Sequence, residues 1–200
     1  MLLSVKSFLF AISKQTIKME NLEFFNSIDS MLNETLSKKP LKEICEAFKE
    51  DVVSNRDKYV DDSNLALEMK ETGESIVRMF LENLGYVFLS KCEDISHDYK
   101  FLKGGKEFVF EIKTDVDTDN MAVEYECRGK KSGIAATKAD FFITYYPQLN
   151  EIWLIKTEKL KELIRKNKDT IKKIDTADGI KLFLLKRDKY KPEFRITNVY

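Results

Sequence analysis

Two carboxylates and an ammonium are placed by spacing where they could act together: Asp98, Glu111 and Lys113, within residues 97–115, HDYKFLKGGKEFVFEIKTD. Gly104–Gly105 joins two β-prone runs, and two successive glycines favour a tight hairpin because both tolerate positive φ. A turn there pairs Lys103 with Lys106, Leu102 with Glu107, Phe101 with Phe108, Tyr99 with Phe110 and Asp98 with Glu111. Alternation puts Val109, Glu111, Lys113 and Asp115 on one face, and Phe108, Phe110 and Ile112 on the other. The aromatic face is expected in a core. On the opposite face two carboxylates meet, and they repel unless a cation sits between them. Hard divalent cations such as Mg²⁺ take oxygen ligands and commonly use one or two carboxylates plus phosphate oxygens and water. A lysine two residues beyond the second carboxylate can orient a water or stabilise charge on a phosphate. Glu-x-Lys alone is weak in a chain with 34% charged residues, so its surroundings must carry the inference.

Those surroundings begin with helices. Leu22, Phe25, Ile28, Leu32 and Leu36 are spaced helically over 17–36, residues 37–40 break the pattern, and Leu41, Ile44, Cys45, Phe48 and Val52 mark a second amphipathic helix. Core-covering helices are expected, with a dimerisation or DNA-docking arm as the alternative. Asp62 or Ser63 can cap a third helix over 64–84, which Gly85 ends. Its buried stripe is Leu65, Met69, Ile76, Val77, Phe80, Leu81 and Leu84, while Glu71 or Glu74 can pair with Arg78 on another face. Residues 86–90 read as a strand or extended link.

After the hairpin, 114–120 is a polar turn. Its acids Asp115, Asp117 and Asp119 lack the glycine and distal glutamate of a calcium loop, and only Asp115 continues the face of Glu111 and Lys113. Residues 121–127 read as a third strand with Glu124 and Glu126 on one face, either solvent-facing or, through Glu124, extending a metal shell. The loop RGKKSG (128–133) is either a plain charged turn or one that offers Arg128, Lys130 and Lys131 to phosphates. A short helix over 134–140, a buried strand 141–146 and a strand 151–156 anchored by Trp153 follow. Residues 156–173 form a helical region with eight basic and three acidic residues, an ordinary amphipathic helix or a phosphate-contacting surface. A final strand over 180–186 and a charged tail over 188–200 close the chain.

A length of 200 residues with 43% hydrophobic content suits one domain of ordinary size. The formal net charge is zero, but residues 1–100 hold 13 Lys+Arg against 18 Asp+Glu, and residues 101–200 hold 21 against 16. The basic excess follows the candidate site, where a phosphate backbone would bind. Cys45, Cys92 and Cys127 are far apart and there is one histidine, which argues against a zinc site or a disulfide framework and for a reducing cytoplasm. The opening MLLSVKSFLFAIS is too short to span a bilayer and lacks a clear cleavage site. A disordered or docking N-terminus is expected there, with Met19 an alternative start.

Asp98, a gap of about a dozen residues, then Glu111-x-Lys113 on a strand resembles the PD-(D/E)XK nuclease superfamily, with His97 at the usual proline position. The run GESIVRMFLENLGY resembles that family's first core helix, which often turns a glutamate toward the metal site, and Glu74 is the candidate. The run YECRGKKSGIAATKADFFITY resembles small endonucleases of phages and mobile elements, related to Holliday-junction resolvases, and implies that Thr137 and Lys138 bind the backbone near the scissile phosphate. The resemblance implies an α/β fold with a restriction-endonuclease-like core, α-β-β-β-α-β, its mixed central sheet flanked by helices, plus an N-terminal helical addition. Residues 1–62 would be a helical segment packed on the core, 63–156 the core, and 157–200 a basic helix, strand and tail of the same domain.

The implied activity is metal-dependent hydrolysis of DNA phosphodiesters, with Asp98, Glu111 and the Ile112 carbonyl holding Mg²⁺ (Mn²⁺ as substitute), Lys113 orienting the attacking water and Glu74 assisting. No nucleotide cofactor and no membrane are implied. Duplex or branched DNA such as a Holliday junction is the implied substrate, a homodimer the implied assembly, and the cytoplasm (the host's, for a virus or mobile element) the implied location. The alternative from another class is a non-catalytic nucleic-acid-binding protein that keeps the fold.

Overall fold

The turn at Gly104–Gly105 adopts φ of +57° and +77°, the left-handed pair that a two-residue hairpin needs. It joins β2 (Tyr99–Lys103) to β3 (Lys106–Thr114) with Tyr99 opposite Phe110, Phe101 opposite Phe108 and Lys103 opposite Lys106. The register is the one expected from the turn. The computed structural model describes residues 39–61, 63–92, 96–116 and 119–200, all within one compact unit, Lys38–Tyr200. The helix expected over 17–36 lies outside the described residues, as does Asp62.

The strands form two sheets, of which the larger contains this hairpin. The larger runs β1-β2-β3-β6-β7-β10, with β1 Val87–Lys91, β6 Phe141–Tyr146, β7 Glu151–Lys156 and β10 Arg195–Asn198. Its pairs are antiparallel except β3 with β6, so the sheet is mixed and the protein is mixed α/β. The smaller runs β5-β4-β9-β8, from β4 Asn120–Cys127, β5 Lys130–Lys131, β8 Lys172–Asp175 and β9 Ile180–Lys186. Helices α1 (Lys39–Asp61) and α2 (Ser63–Asn83) precede the strands, and α3 (Thr157–Asn167) and the short α4 (Arg187–Tyr190) follow β7 and β9.

Helix α1 buries Leu41, Cys45, Phe48 and Val52, the i, i+4, i+7, i+11 stripe, and leaves Ile44 beside it 40% exposed. Helix α2 lies against β3, and Gly73 is the reason it can. A Cβ there would come within 1.8 Å of the Thr114 hydroxyl. The aromatic face of the hairpin is buried as alternation requires: Tyr86 meets Phe101, Phe108 and Phe110 edge-on at 5.8–6.2 Å, and Phe110 stacks on Phe141. A second core gathers Met121, Val123 and Leu185 of the small sheet, Phe142, Trp153 and Ile155 of the large one, and Leu160 and Ile164 of α3.

Four expectations are corrected. The strand at 121–127 forms but leaves the hairpin's sheet, because β3 is already paired on both edges, by β2 and by β6; β4 pairs instead with β9 and β5. The helix expected over 134–140 is a single 3-10 turn, Gly133–Ala135. Beyond it the Lys138 and Asp140 amides donate to the Ser96 and Val109 carbonyls rather than along a helix. The helix expected to 173 ends at Asn167, and Lys172–Asp175 is strand β8. The tail is structured too: β10 closes the edge of the large sheet against β7, and Tyr190 and Val199 are buried.

Candidate active site

The face of β3 opposite the aromatic core carries Glu111 and Lys113, and the turns and pairings above determine what surrounds them. Phe142 and Thr144 of β6 stand beside them in the parallel register, so this face is covered by the second core and Glu111 is only 5% exposed. A carboxylate so placed needs partners. Lys113 Nζ lies 2.7 Å from Glu111 Oε1, and the Thr137 hydroxyl lies 3.0 Å from Oε2. Asp98 sits one residue before the β2 ladder begins. Its backbone N–H donates to the Phe110 carbonyl and its Oδ2 accepts the Ile112 N–H at 2.6 Å. The second bond ties the Asp98 side chain to β3 next to Glu111.

These groups act on one another. Burial pushes the Asp98 carboxyl above the usual carboxylate range; the Lys113 ammonium opposes this and the Glu111 charge adds to it. Burial alone would lower the Lys113 pKa, but Glu111, Asp98 and, more weakly, Glu124 outweigh it and raise it. Lys113 keeps about a third of its side chain exposed (32%), so a ligand can reach it. Glu124 accepts the Ser132 hydroxyl. The locality therefore holds three carboxylates against Lys113 and, more weakly, Lys70, an excess of negative charge.

Thr137 belongs to this network and is buried at 3% exposure. Its one hydroxyl proton lies between two acceptors, Glu111 Oε2 and the Ser96 carbonyl, both at 3.0 Å, while its oxygen accepts the Ala139 N–H. Ser96 continues the chain, its hydroxyl 2.8 Å from His97 Nδ1. A buried threonine so engaged holds Glu111 in place, and its hydroxyl, expected to meet a phosphate, is occupied by these partners. Lys138 is exposed, as are Arg128, Lys130 and Lys131 around the two-residue turn at Arg128–Gly129. Asp115 donates its N–H to the Tyr145 carbonyl and accepts the Ala122 N–H, tying β3 to the start of β4.

Glu74 has different company. It is fully buried, and its carboxylate meets Lys91 at 3.0 Å, Lys70 at 3.4 Å and the Tyr99 hydroxyl at 3.4 Å. Arg78, the partner considered from spacing, pairs with Glu82 and covers the Phe88 ring. Lys70, Lys91 and Tyr99 were not foreseen. Lys70 is four residues before Glu74 on one helix and was readable on that ground. Lys91 and Tyr99 are neighbours only through the β1–β2 pairing, which slips register between Phe88 and Ser90. Among the described residues no three His, Cys, Asp or Glu side chains converge as a metal-binding group.

No protein-family model matches the chain, and no curated protein matches it. Among solved structures it is similar to a bacterial homing endonuclease with a TM-score of 0.36 and 16% identity, over 58% of this chain and 75% of that one. A likeness that distant carries no weight for function. No described helix is long and apolar enough to cross a membrane.

Proposed function

We propose that this protein is a metal-dependent DNA endonuclease of the PD-(D/E)XK type. The observation that carries the reading is the seating of Asp98 beside Glu111 through the Ile112 amide, with the Lys113 ammonium 2.7 Å from Glu111. The order of elements supports it: helix α2, the meander β1-β2-β3, then β6 parallel to β3.

The donor set suits a hard divalent cation. Asp98 and Glu111 supply carboxylate oxygens, the Ile112 carbonyl a third, and Mg²⁺ ordinarily completes its shell with water and phosphate oxygens, so a third side-chain acid is not required. Bound there, Mg²⁺ or Mn²⁺ would lower the pKa of a water and neutralise charge on the phosphate. The chain's own residues do the rest. Thr137 fixes the Glu111 carboxylate, the Ile112 N–H fixes Asp98, and Lys113 presents a proton donor to the attacking water or to a non-bridging phosphate oxygen. Arg128, Lys130, Lys131 and Lys138 carry the flanking strand. Among the described residues no module for reading base edges accompanies the site, which favours branched or otherwise structured DNA over a defined sequence, and a two-fold dimer would suit such a substrate.

The test is cleavage of linear duplex, single-stranded, flapped and four-way-junction DNA in Mg²⁺ and Mn²⁺. Wild-type protein should cut at least one, and Lys113→Ala should lower the rate about 10²-fold or more, as loss of one positioned charge-stabilising group does. A wild type that binds DNA but cuts none of them makes the protein a non-catalytic nucleic-acid-binding module instead.

A further inference from the structure

Glu74 sits in the middle of α2 with no exposed surface, yet the two cations on it are half exposed, Lys70 at 47% and Lys91 at 52%. They come from different elements. Lys70 lies one turn back on α2, and Lys91 is the last residue of β1, paired with Tyr99 and 5.8 Å from its ring centre. Lys91 Nζ takes one carboxylate oxygen, Oε2, at 3.0 Å, and Lys70 Nζ lies 3.4 Å from the other, Oε1, which has no hydrogen-bond partner.

Free surface lysines spread their charge over many rotamers and gain little from one acid. Here a single buried carboxylate draws two ammoniums to one place, and one negative charge cannot neutralise both. Of the remaining acids, Glu71 is exposed and is the weakest influence on Lys91, and the Asp98 carboxylate, on which Lys70 also acts, is shared with Lys113. Lys70 also acts, as the weakest of its charged neighbours, on the Asp98 carboxyl that burial pushes up, so Lys70 lies alongside the Asp98–Glu111–Lys113 cluster. Gly73, by letting α2 touch Thr114 of β3, sets that proximity.

We infer that Lys70 and Lys91, pinned on Glu74, form a clamp for a phosphodiester of the DNA strand next to the one at Asp98 and Glu111. The inference rests on the nuclease reading for its ligand. It gives Glu74 the task of anchoring two phosphate-binding lysines rather than holding a metal.

The experiment measures binding, not cleavage. Fluorescence anisotropy of a labelled DNA duplex is followed against salt without divalent cations, in a Lys113→Ala parent. Into that parent go Lys70→Ala with Lys91→Ala or, as control, Lys42→Ala with Lys49→Ala on the exposed side of α1. Each neutralised phosphate contributes about −0.9 to the slope of log K against log salt. The clamp pair, holding one phosphodiester, should therefore flatten the slope by about 0.9 and weaken binding at least 10-fold, whereas the control pair should leave both near the parent. Arginine at both clamp positions should restore the slope.

Removing both lysines strands the Glu74 charge, so a triple variant that adds Glu74→Gln is measured alongside and should show the same loss. Clamp and control pairs with equal slopes, or a parent that does not bind DNA, overturn the clamp. If wild type cuts DNA while the clamp pair keeps its slope, the clamp alone falls. If wild type cuts nothing while the slope is lost, the nuclease reading falls and the clamp stands.

Discussion

Glu74 and Glu111 are both buried, and each meets a lysine and a hydroxyl: Lys91 and Tyr99 for one, Lys113 and Thr137 for the other. What differs is the next charge. Glu111 has a second carboxylate beside it, Asp98, with Glu124 within reach of the same lysine. Glu74 has a second lysine, Lys70. A buried acid must be compensated in either setting, but the next side chain is an acid beside Glu111 and a second ammonium beside Glu74. The first suits a cation and the second an anion. Two glutamates of similar burial are thus given opposite chemistry by the third residue that arrives.

The largest test of this contrast is metal binding. Mg²⁺ at 100 times its Kd should stabilise the wild type by about 2.7 kcal/mol through mass action, which is several degrees in Tm at roughly 2–4 °C per kcal/mol. Glu111→Ala should abolish that shift in a thermal melt and Glu74→Gln should keep it. Equal loss in both would merge the two centres into one metal site and break the comparison.

A smaller effect is expected at the joint between them. Gly73→Ala gains up to about 1 kcal/mol in helix propensity but drives a methyl into Thr114, and overpacking of this kind typically costs about 1–3 kcal/mol. Denaturant midpoints should show net destabilisation, partly reversed by adding Thr114→Ala, which removes the Oγ1 and Cγ2 atoms nearest the new methyl. Full stability in Gly73→Ala would mean that α2 is not seated by this contact.

The mildest variant sharpens the role of the hydroxyl. Thr137→Val removes the bond to Glu111 while keeping the shape, and it should lower kcat about 10-fold with little change in KM. Thr137→Ser should retain most of the activity. A rise in KM alone would return Thr137 to the substrate-binding surface.

Much of the site was legible because its parts are local. The Gly104–Gly105 turn dictated the register, and strand alternation then dictated that Glu111 and Lys113 share a face with Asp98 opposite. Thr137 was singled out, but for contact with a phosphate. Its burial beside Glu111 comes with the turn leading into β6, where the Thr137 hydroxyl and the Lys138 amide both meet the Ser96 carbonyl, a contact that nothing in its neighbours announces. Glu124 was legible as a strand residue near the acids, whereas its partner Ser132 was not. The exposed cations of α3 split in a similar way: the excess of charge was plain, but Lys159, Lys161 and Lys166 each face an acid, and only Glu158 and Glu162 are on the same helix.

By itself, then, the sequence determined the elements whose cause is short-range: the hairpin and its register, the apolar stripes of α1 and α2, and the buried runs of β6 and β7. Turn chemistry and side-chain periodicity act over a few residues and do not wait for the rest of the chain. Tertiary structure alone decided which strand edges were free, and so sent β4 to β9, brought the last residues back as β10, and set Lys91 against Glu74. Those pairings join residues far apart along the chain. They are chosen by which edges and faces remain uncovered once the local pieces have formed, a property of the whole assembly and of no single segment.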